Sequence, residues 1–181
     1  KAEELRALPN VALYREVMTK AGINPNKFLP SVEAMFKRIL KGGELPKINA
    51  LVDLCNAVSV EQIISLGAHD LADIHKDLEV RFSREGDKFI PFGSEEPEMV
   101  EEGELVFTSG NHVQTRKWVW RQSELGKITL DSKDIFFQLA GFGDEPSLSN
   151  AMYQIEDLII SRFQGNSRKY IVDINNRSID F

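Results

Sequence analysis

Residues 78–92 read Leu78-Glu79-Val80-Arg81-Phe82-Ser83-Arg84-Glu85-Gly86-Asp87-Lys88-Phe89-Ile90-Pro91-Phe92, and the change of period within this stretch decides the fold class. Leu78, Val80 and Phe82 alternate with Glu79, Arg81 and Ser83, as a half-buried strand requires. Glu85-Gly86-Asp87 is a turn that sends the chain into a paired strand at Lys88–Phe92. The residues before it follow the other period. The spacing predicts a helix over 10–21, with Asn10 as cap, Leu13, Tyr14, Val17 and Met18 as its apolar stripe and Gly22 as its stop. Ile23-Asn24-Pro25-Asn26 is a turn by its chemistry. A second helix, capped by Ser31, carries Val32, Met35, Phe36, Ile39 and Leu40 on one face, and Gly42-Gly43 ends it. After Pro46 a third helix runs to about Val58.

Downstream, the acidic segment 94–103 reads as a surface loop, and strands are expected at 104–108, 113–120 and 134–140. Gly141–Pro146 then turns into a helix capped near Ser149 and carrying Met152, Ile155, Ile159 and Phe163, and a last strand covers 169–174. Helices first, then hairpins, then a helix and a strand specify an α+β fold. Its N-terminal helices pack on a mostly antiparallel or mixed sheet. The 181 residues, 42% apolar and 28% charged, suit a single domain over 1–181 with its own core.

Composition narrows the function. No stretch approaches the ~20 apolar residues of a membrane span. Cys55 is the single cysteine, and His69, His75 and His112 lack ligand spacing, so neither a disulfide framework nor a metal site is expected, and no cofactor. That pattern indicates a reducing, cytoplasmic setting. The chain begins at Lys1 without a Met or a signal-like run, as a trimmed sequence would. The net charge of −6 argues against bulk electrostatic attraction to nucleic acid and against a DNA partner. The charge is unevenly placed, however. Residues 1–60 carry nine Lys/Arg against six Asp/Glu, residues 61–105 four against thirteen, and the remainder nine of each. A polyanion fits the basic first third, where Lys37, Arg38, Lys41 and Lys47 either meet phosphate or form a solvated helix face.

Three constellations stand out. On the third helix Asn49, Asp53 and Asn56 fall within about 60° of one another, apart from Ile48, Leu51, Val52 and Cys55. Asn and Asp are poor helix formers, so such a stripe either organises neighbouring backbone or faces a pocket. Ser65-Leu66-Gly67-Ala68-His69-Asp70 places a histidine after a glycine turn, where it matters chemically only if a distant group meets it. Trp118 and Trp120 share a strand face, and Arg121, Gln122, Ser123 and Glu124 gather just past the strand end, a position common to sites and to polar turns alike. Cys55, on a buried helix face, is an improbable nucleophile. Walker, G-x-G-x-x-G, G-x-S-x-G and H-E-x-x-H motifs are all absent.

The run Ser31-Val32-Glu33-Ala34, then Lys37-Arg38, then Gly43-Glu44-Leu45-Pro46-Lys47-Ile48-Asn49-Ala50-Leu51-Val52-Asp53-Leu54-Cys55-Asn56 resembles the B3/B4 domain of the phenylalanyl-tRNA synthetase beta subunit. It is most like the free-standing proteins built from that domain alone. In the family this helix is followed by a G-x-x-x-H segment, paired strands and an acidic residue after a glycine-rich turn. Ile48–Asn56, Gly67-Ala68-His69, Leu78–Phe92 and Glu124 look like those features over roughly residues 30–140, with helix 10–21 and the helix–strand segment 149–174 as flanks. The resemblance implies a B3/B4-like fold and an editing pocket that hydrolyses the ester of a mischarged tRNA, without aminoacylating activity.

On that reading Glu124 selects the amino acid and His69 stands near the aminoacyl-adenosine end, the two forming the catalytic pair. Asn49, Asp53 and Asn56 shape the pocket from below, and Lys37, Arg38, Lys41 and Lys47 meet the tRNA acceptor stem. Trp120, Arg121, Gln122 and Ser123 replace the family's glycines, so larger side chains shrink or re-aim the pocket while polarising the carbonyl or holding the ribose. An activated ester needs orientation more than a strong nucleophile. The alternative is a non-catalytic module that binds RNA, an amino acid or a protein on the same fold.

Overall fold

The computed structural model describes residues 2–143 and 146–181. Helix α1 (Ala2–Arg6) precedes α2 (Pro9–Lys20), α3 (Ser31–Leu40) and α4 (Ala50–Gln62). Proline opens α2 at the position where its missing N–H is no loss. The expected cap, Asn10, instead lies buried in the first turn and donates to the Ile63 carbonyl at 3.1 Å. Ser31 likewise is the first helical residue of α3 rather than its cap, and its hydroxyl reaches Ser65 Oγ at 3.2 Å. Of the α3 stripe only Val32 is fully buried, and Ile39 and Leu40 face solvent. Helix α4 is properly capped: Asn49 Oδ1 accepts from the Val52 N–H at 3.0 Å, and Asp53 Oδ1 accepts from the Ile48 N–H at 2.8 Å.

Two sheets follow. Strands β1 (Ser65–Asp70) and β8 (Ile135–Ala140) form an antiparallel pair running from Ser65↔Ala140 to Asp70↔Ile135. Between them the chain builds a six-stranded mixed sheet from β2 (Leu78–Phe82), β3 (Lys88–Phe89), β4 (Glu98–Met99), β5 (Leu105–Ser109), β6 (His112–Arg116) and β7 (Arg121–Gln122). Its order is β2-β5-β6-β3-β4 with β7 also on β6, and among the described residues only the β3–β6 contact is parallel. Helix α5 (Pro146–Phe163) packs on α4. The α+β class with N-terminal helices against a mixed sheet is therefore the observed architecture.

Several local expectations are corrected. Strand β2 does not form a hairpin with 88–92 but pairs with β5. Arg81 makes a two-pronged contact with Asp87, at 2.6 and 3.0 Å, and bonds the Gly110 carbonyl at 2.7 Å, which turns the chain across the sheet instead. The acidic loop includes the short strand β4. Strand β6 ends at Arg116 because Lys117 and Trp118 adopt φ of 49° and 64°, so residues 117–120 form a turn and Arg121-Gln122 a strand. Glu104 fixes that turn by accepting from the Lys117 N–H at 3.0 Å. Gly67 lies inside strand β1, not in a turn. The expected strand at 169–174 is irregular and exposed. Ser149 lies inside α5, which already runs from Pro146, and part of the expected Gly141–Pro146 turn (144–145) lies outside the described residues.

The layers are stitched by Tyr14. Its hydroxyl accepts from the Ser65 N–H at 2.8 Å and donates to the Ala140 carbonyl, so α2 clasps the end of the β1–β8 pair. Burial pushes this phenol up to about 12. Around it Met18, Ile23, Val32 and Val119 form one apolar cluster, and Leu51, Cys55, Val58, Ile64, Ala151 and Ile155 form another between α4, α5 and β1. The burial expected for Cys55 is present, and it pushes the thiol up to about 12, which disfavours the thiolate.

Candidate functional site

Alternation along β1 aims His69 inward, opposite in face to Ala68 and Asp70. Its ring is fully buried beside Gln114, and no hydrogen bond of good geometry reaches either nitrogen among the described residues. Burial lowers its pKa to about 4, outweighing an interaction with the Gln114 side chain that raises it, so the imidazole is neutral at physiological pH. Gln114, from β6, is also fully buried, with its Oε1 unpartnered among the described residues. Two glycines give these groups room. A Cβ at Gly67 would stand 3.2 Å from His69 Nε2 and 4.0 Å from Gln122 Oε1. One at Gly126 would stand 2.8 Å from Gln114 Oε1. Gln122 reaches across from β7 and donates to the Ala68 carbonyl at 2.7 Å. Buried polar atoms with poor hydrogen bonding are disfavoured in a merely structural interior, which sets this cluster apart from ordinary packing.

An aromatic file leads outward from it. His69 lies 5.2 Å from Phe107, Phe107 stacks on Phe136 at 6.0 Å and 18°, and Phe136 stacks on Phe181 at 5.4 Å and 26°. His69 and Phe136 are direct partners in the β1–β8 register, which puts them on one face.

Glu124 lies elsewhere. It lines an open groove of about 570 Å³ with Asp70, Asp73, Ser94, Glu95 and Lys127. Lys127 and the Gly93 N–H, which donates at 3.1 Å, hold its carboxyl below the usual carboxylate range. Asp73 accepts from the Gly126 N–H at 3.0 Å, so one glycine borders both this groove and the His69 cluster. Ser123 is buried and bonds the Ile90 carbonyl at 3.1 Å. Arg121 is exposed with its guanidinium 4.8 Å over the Trp120 ring, which itself packs edge-on against Phe28 at 4.8 Å.

A second open groove, of about 490 Å³, lies where α3 meets the start of α4 and is lined by Ile39, Leu45, Pro46, Lys47, Asp53 and Asn56. Lys37, Arg38, Lys41 and Lys47 are all exposed. Asn49 stands apart from this groove as the α4 cap and also reaches the Ile128 carbonyl at 3.3 Å. The structure thus brings Asp53 and Asn56 together with Lys47, and Gln122 toward His69, but separates His69, Glu124 and Asn56 into three neighbourhoods. Gln114 was not singled out in the sequence. Within His112-Val113-Gln114-Thr115-Arg116 a glutamine among polar residues carries no local signal, and only the fold shows that it meets His69. Among the described residues no group of His, Cys, Asp and Glu could hold a metal ion, and no helix is long and apolar enough to cross a membrane.

The chain is an α+β protein whose β1, β6 and β7 strands bring a buried polar cluster together beside two glycines. More specifically, the chain belongs to the B3/4 domain family, whose pattern matches residues 13–176. Membership in that family is consistent with an RNA-related role. No curated protein matches the chain. Among solved structures it is similar to an N-terminal fragment of the phenylalanyl-tRNA synthetase beta subunit from Pyrococcus horikoshii. The identity is 13%, the match covers 58% of this chain and 38% of that one, and the TM-score is 0.46. The match thus takes in well under half of that fragment's length.

Proposed function

We propose that this protein, acting as one B3/B4-type domain, is a trans-acting editing hydrolase that cleaves the ester of a mischarged aminoacyl-tRNA. The observation that carries the reading is the meeting of two fully buried polar side chains, His69 and Gln114, in a chain of the B3/4 family. The neutral imidazole takes the one proton that a water loses as its oxygen attacks the activated ester and returns it to the departing ribose oxygen, while Gln114 holds the ring in orientation. Gln122 fixes the strand that carries His69. Glu124, at the adjoining groove, selects the amino acid through its amino group or a polar side-chain group. The exposed Lys37, Arg38, Lys41 and Lys47 contact the acceptor stem, with Asn56 and Asp53 lining the groove between them and α4.

The test is deacylation by purified protein of a panel of correctly and wrongly charged tRNAs, with His69→Ala, Gln114→Ala and Glu124→Ala alongside. Cleavage of one mischarged species, lost in a folded His69 or Gln114 variant, is the expected result. A non-catalytic binding module is the second reading, and one observation favours it: His69, Asn56 and Glu124 do not converge. Retention of tRNA binding with no cleavage across the panel, by any variant, would establish it instead.

A further inference from the structure

Helix α5 ends in a built reversal. Gln164 takes φ 54°, the Gly165 N–H donates to the Ile159 carbonyl at 3.0 Å, and a Cβ at Gly165 would stand 2.9 Å from Ile159 Cγ2. The chain then runs back along α5, held by Glu156, which accepts from Ser167 at 3.1 Å and pairs with Lys169. A second turn closes on Asp173, whose Oδ1 accepts from the Asn175 and Asn176 N–H groups at 2.7 and 2.8 Å. That turn brings Phe181 back to Tyr170, at 6.5 Å, and onto the open face of Phe136. Phe181 is thereby the outermost ring of the file that ends at His69.

We propose that residues 164–181 form a strap that closes the His69 cluster from outside. On this view Phe181 occupies the face of Phe136 that a planar ring of the ligand takes when the site is in use. The contacts are those of a releasable element. Tyr170, Ile171, Val172 and Ile174 are 42%, 57%, 55% and 79% exposed, so little apolar surface holds the strap down. Stacking on Phe136 and the Glu156 anchor supply its attachment, and both leave the folded body intact when broken. The ring that replaces Phe181 is either a nucleobase or an aromatic amino-acid side chain. That the released site is hydrolytic rests on the function proposed above; the competition for Phe136 does not.

The experiment uses the full chain, its Phe181→Ala variant and, as a second route to release, Asp173→Ala. Trypsin cleavage after Arg168, Lys169 and Arg177 reads the open population of the strap, and adenosine and N-acetyl-L-tyrosinamide are the ring probes. The expected result is cleavage roughly 5-fold faster in both variants with the body still folded. One of the two probes should accelerate cleavage of the unaltered chain and bind Phe181→Ala about 10-fold tighter, because the strap lowers apparent affinity by the fraction it occupies. Whichever probe does so identifies the source of the ring. Cleavage indifferent to both probes, with equal affinities for variant and unaltered chain, would overturn the strap. If competition is found but neither chain deacylates any tRNA, the hydrolytic reading fails and the strap stands. Equal deacylation by both, without competition, sinks the strap and leaves the hydrolase.

Discussion

A Cβ on residue 126 would stand 2.8 Å from Oε1 of Gln114, and Gly126 itself holds φ +77°, a region that other residues enter only under strain. Glycine is thus required there twice, by backbone and by space, at the place where the Asp73 groove meets the His69 cluster. Gly126→Ala should destabilise the protein by about 2–3 kcal/mol, combining ~1–2 for the left-handed backbone with displacement of a buried amide. Gly22→Ala is the control, since φ +75° is present there with nothing within 4 Å, and should lose only ~1 kcal/mol. Urea unfolding of the two variants separates the contributions, and equal losses would refute a role for the Gln114 contact.

The neutral imidazole of His69 links stability to pH. Its folded pKa, about 4, lies below the ordinary histidine value of 6.5, so the unfolded chain binds more protons between these limits. Stability is therefore complete above about pH 6.5 and declines as pH falls toward 4, by roughly 3 kcal/mol. His112 is lowered as well, by burial and by Lys88 and His75, and contributes in the same direction. Comparing thermal melts across this window for the unaltered chain, His69→Leu and His112→Leu assigns the slope. A slope that survives His69→Leu undiminished would contradict the buried placement.

Glu104 gathers two cations. It accepts from Arg116 Nε at 3.0 Å and Nη2 at 2.7 Å and from Lys117 Nζ at 2.6 Å, in surroundings where all three side chains are mostly covered. These partners hold its carboxyl below the usual range despite burial. Removing the acid strands both cations and frees the strained turn at 117–118. Glu104→Ala should cost about 3 kcal/mol, and the double variant with Arg116→Ala less than the sum of the two singles. A double-mutant cycle in denaturant measures this, and simple additivity would count against a shared network.

Asn49 and Asn56 have different surroundings despite sharing a helical stripe. Asn49→Ala removes the α4 cap and should lose about 1 kcal/mol. Asn56→Ala, on the rim of a groove, should change stability by under ~0.5 kcal/mol and alter binding of tRNA instead. Filter binding and melting of both variants test the contrast, which would collapse if the two substitutions affected stability alike.

The parts of the fold that were legible in the sequence were those governed by one local period. Helices α2, α3 and α4 and strands β5 and β8 announce themselves by apolar spacing, and Cys55 by its place on an apolar face; β2 is located by its alternation but with its faces reversed, since Val80 and Phe82 are exposed while Arg81 is covered by its bonds to Asp87. Strand β1 does not, because Gly67 and His69 look like turn chemistry until the neighbouring Gln114 and Gln122 explain why a glycine and a buried imidazole belong in a strand. The turn at Lys117-Trp118 was hidden too: two bulky residues in left-handed backbone are held there by Glu104, a distant partner no local rule reveals. Asn10 and Ser31 show the same limit from the opposite side. Both are good caps by type, but Ile63 and Ser65 lie near enough to claim their side chains.

The pairing of β1 with β8 has a kinetic consequence. Ser65 meets Ala140, and Asp70 meets Ile135, only after the whole intervening stretch has been closed into a loop, whereas β5 and β6 are joined by a tight turn. Closing long loops is entropically slow, so this pair is expected to assemble after the hairpin at β5–β6. His69 and Phe136 face each other across that late pair. The proposed centre is therefore expected to come together after the β5–β6 hairpin, since it spans the strand pair with the longest separation along the chain.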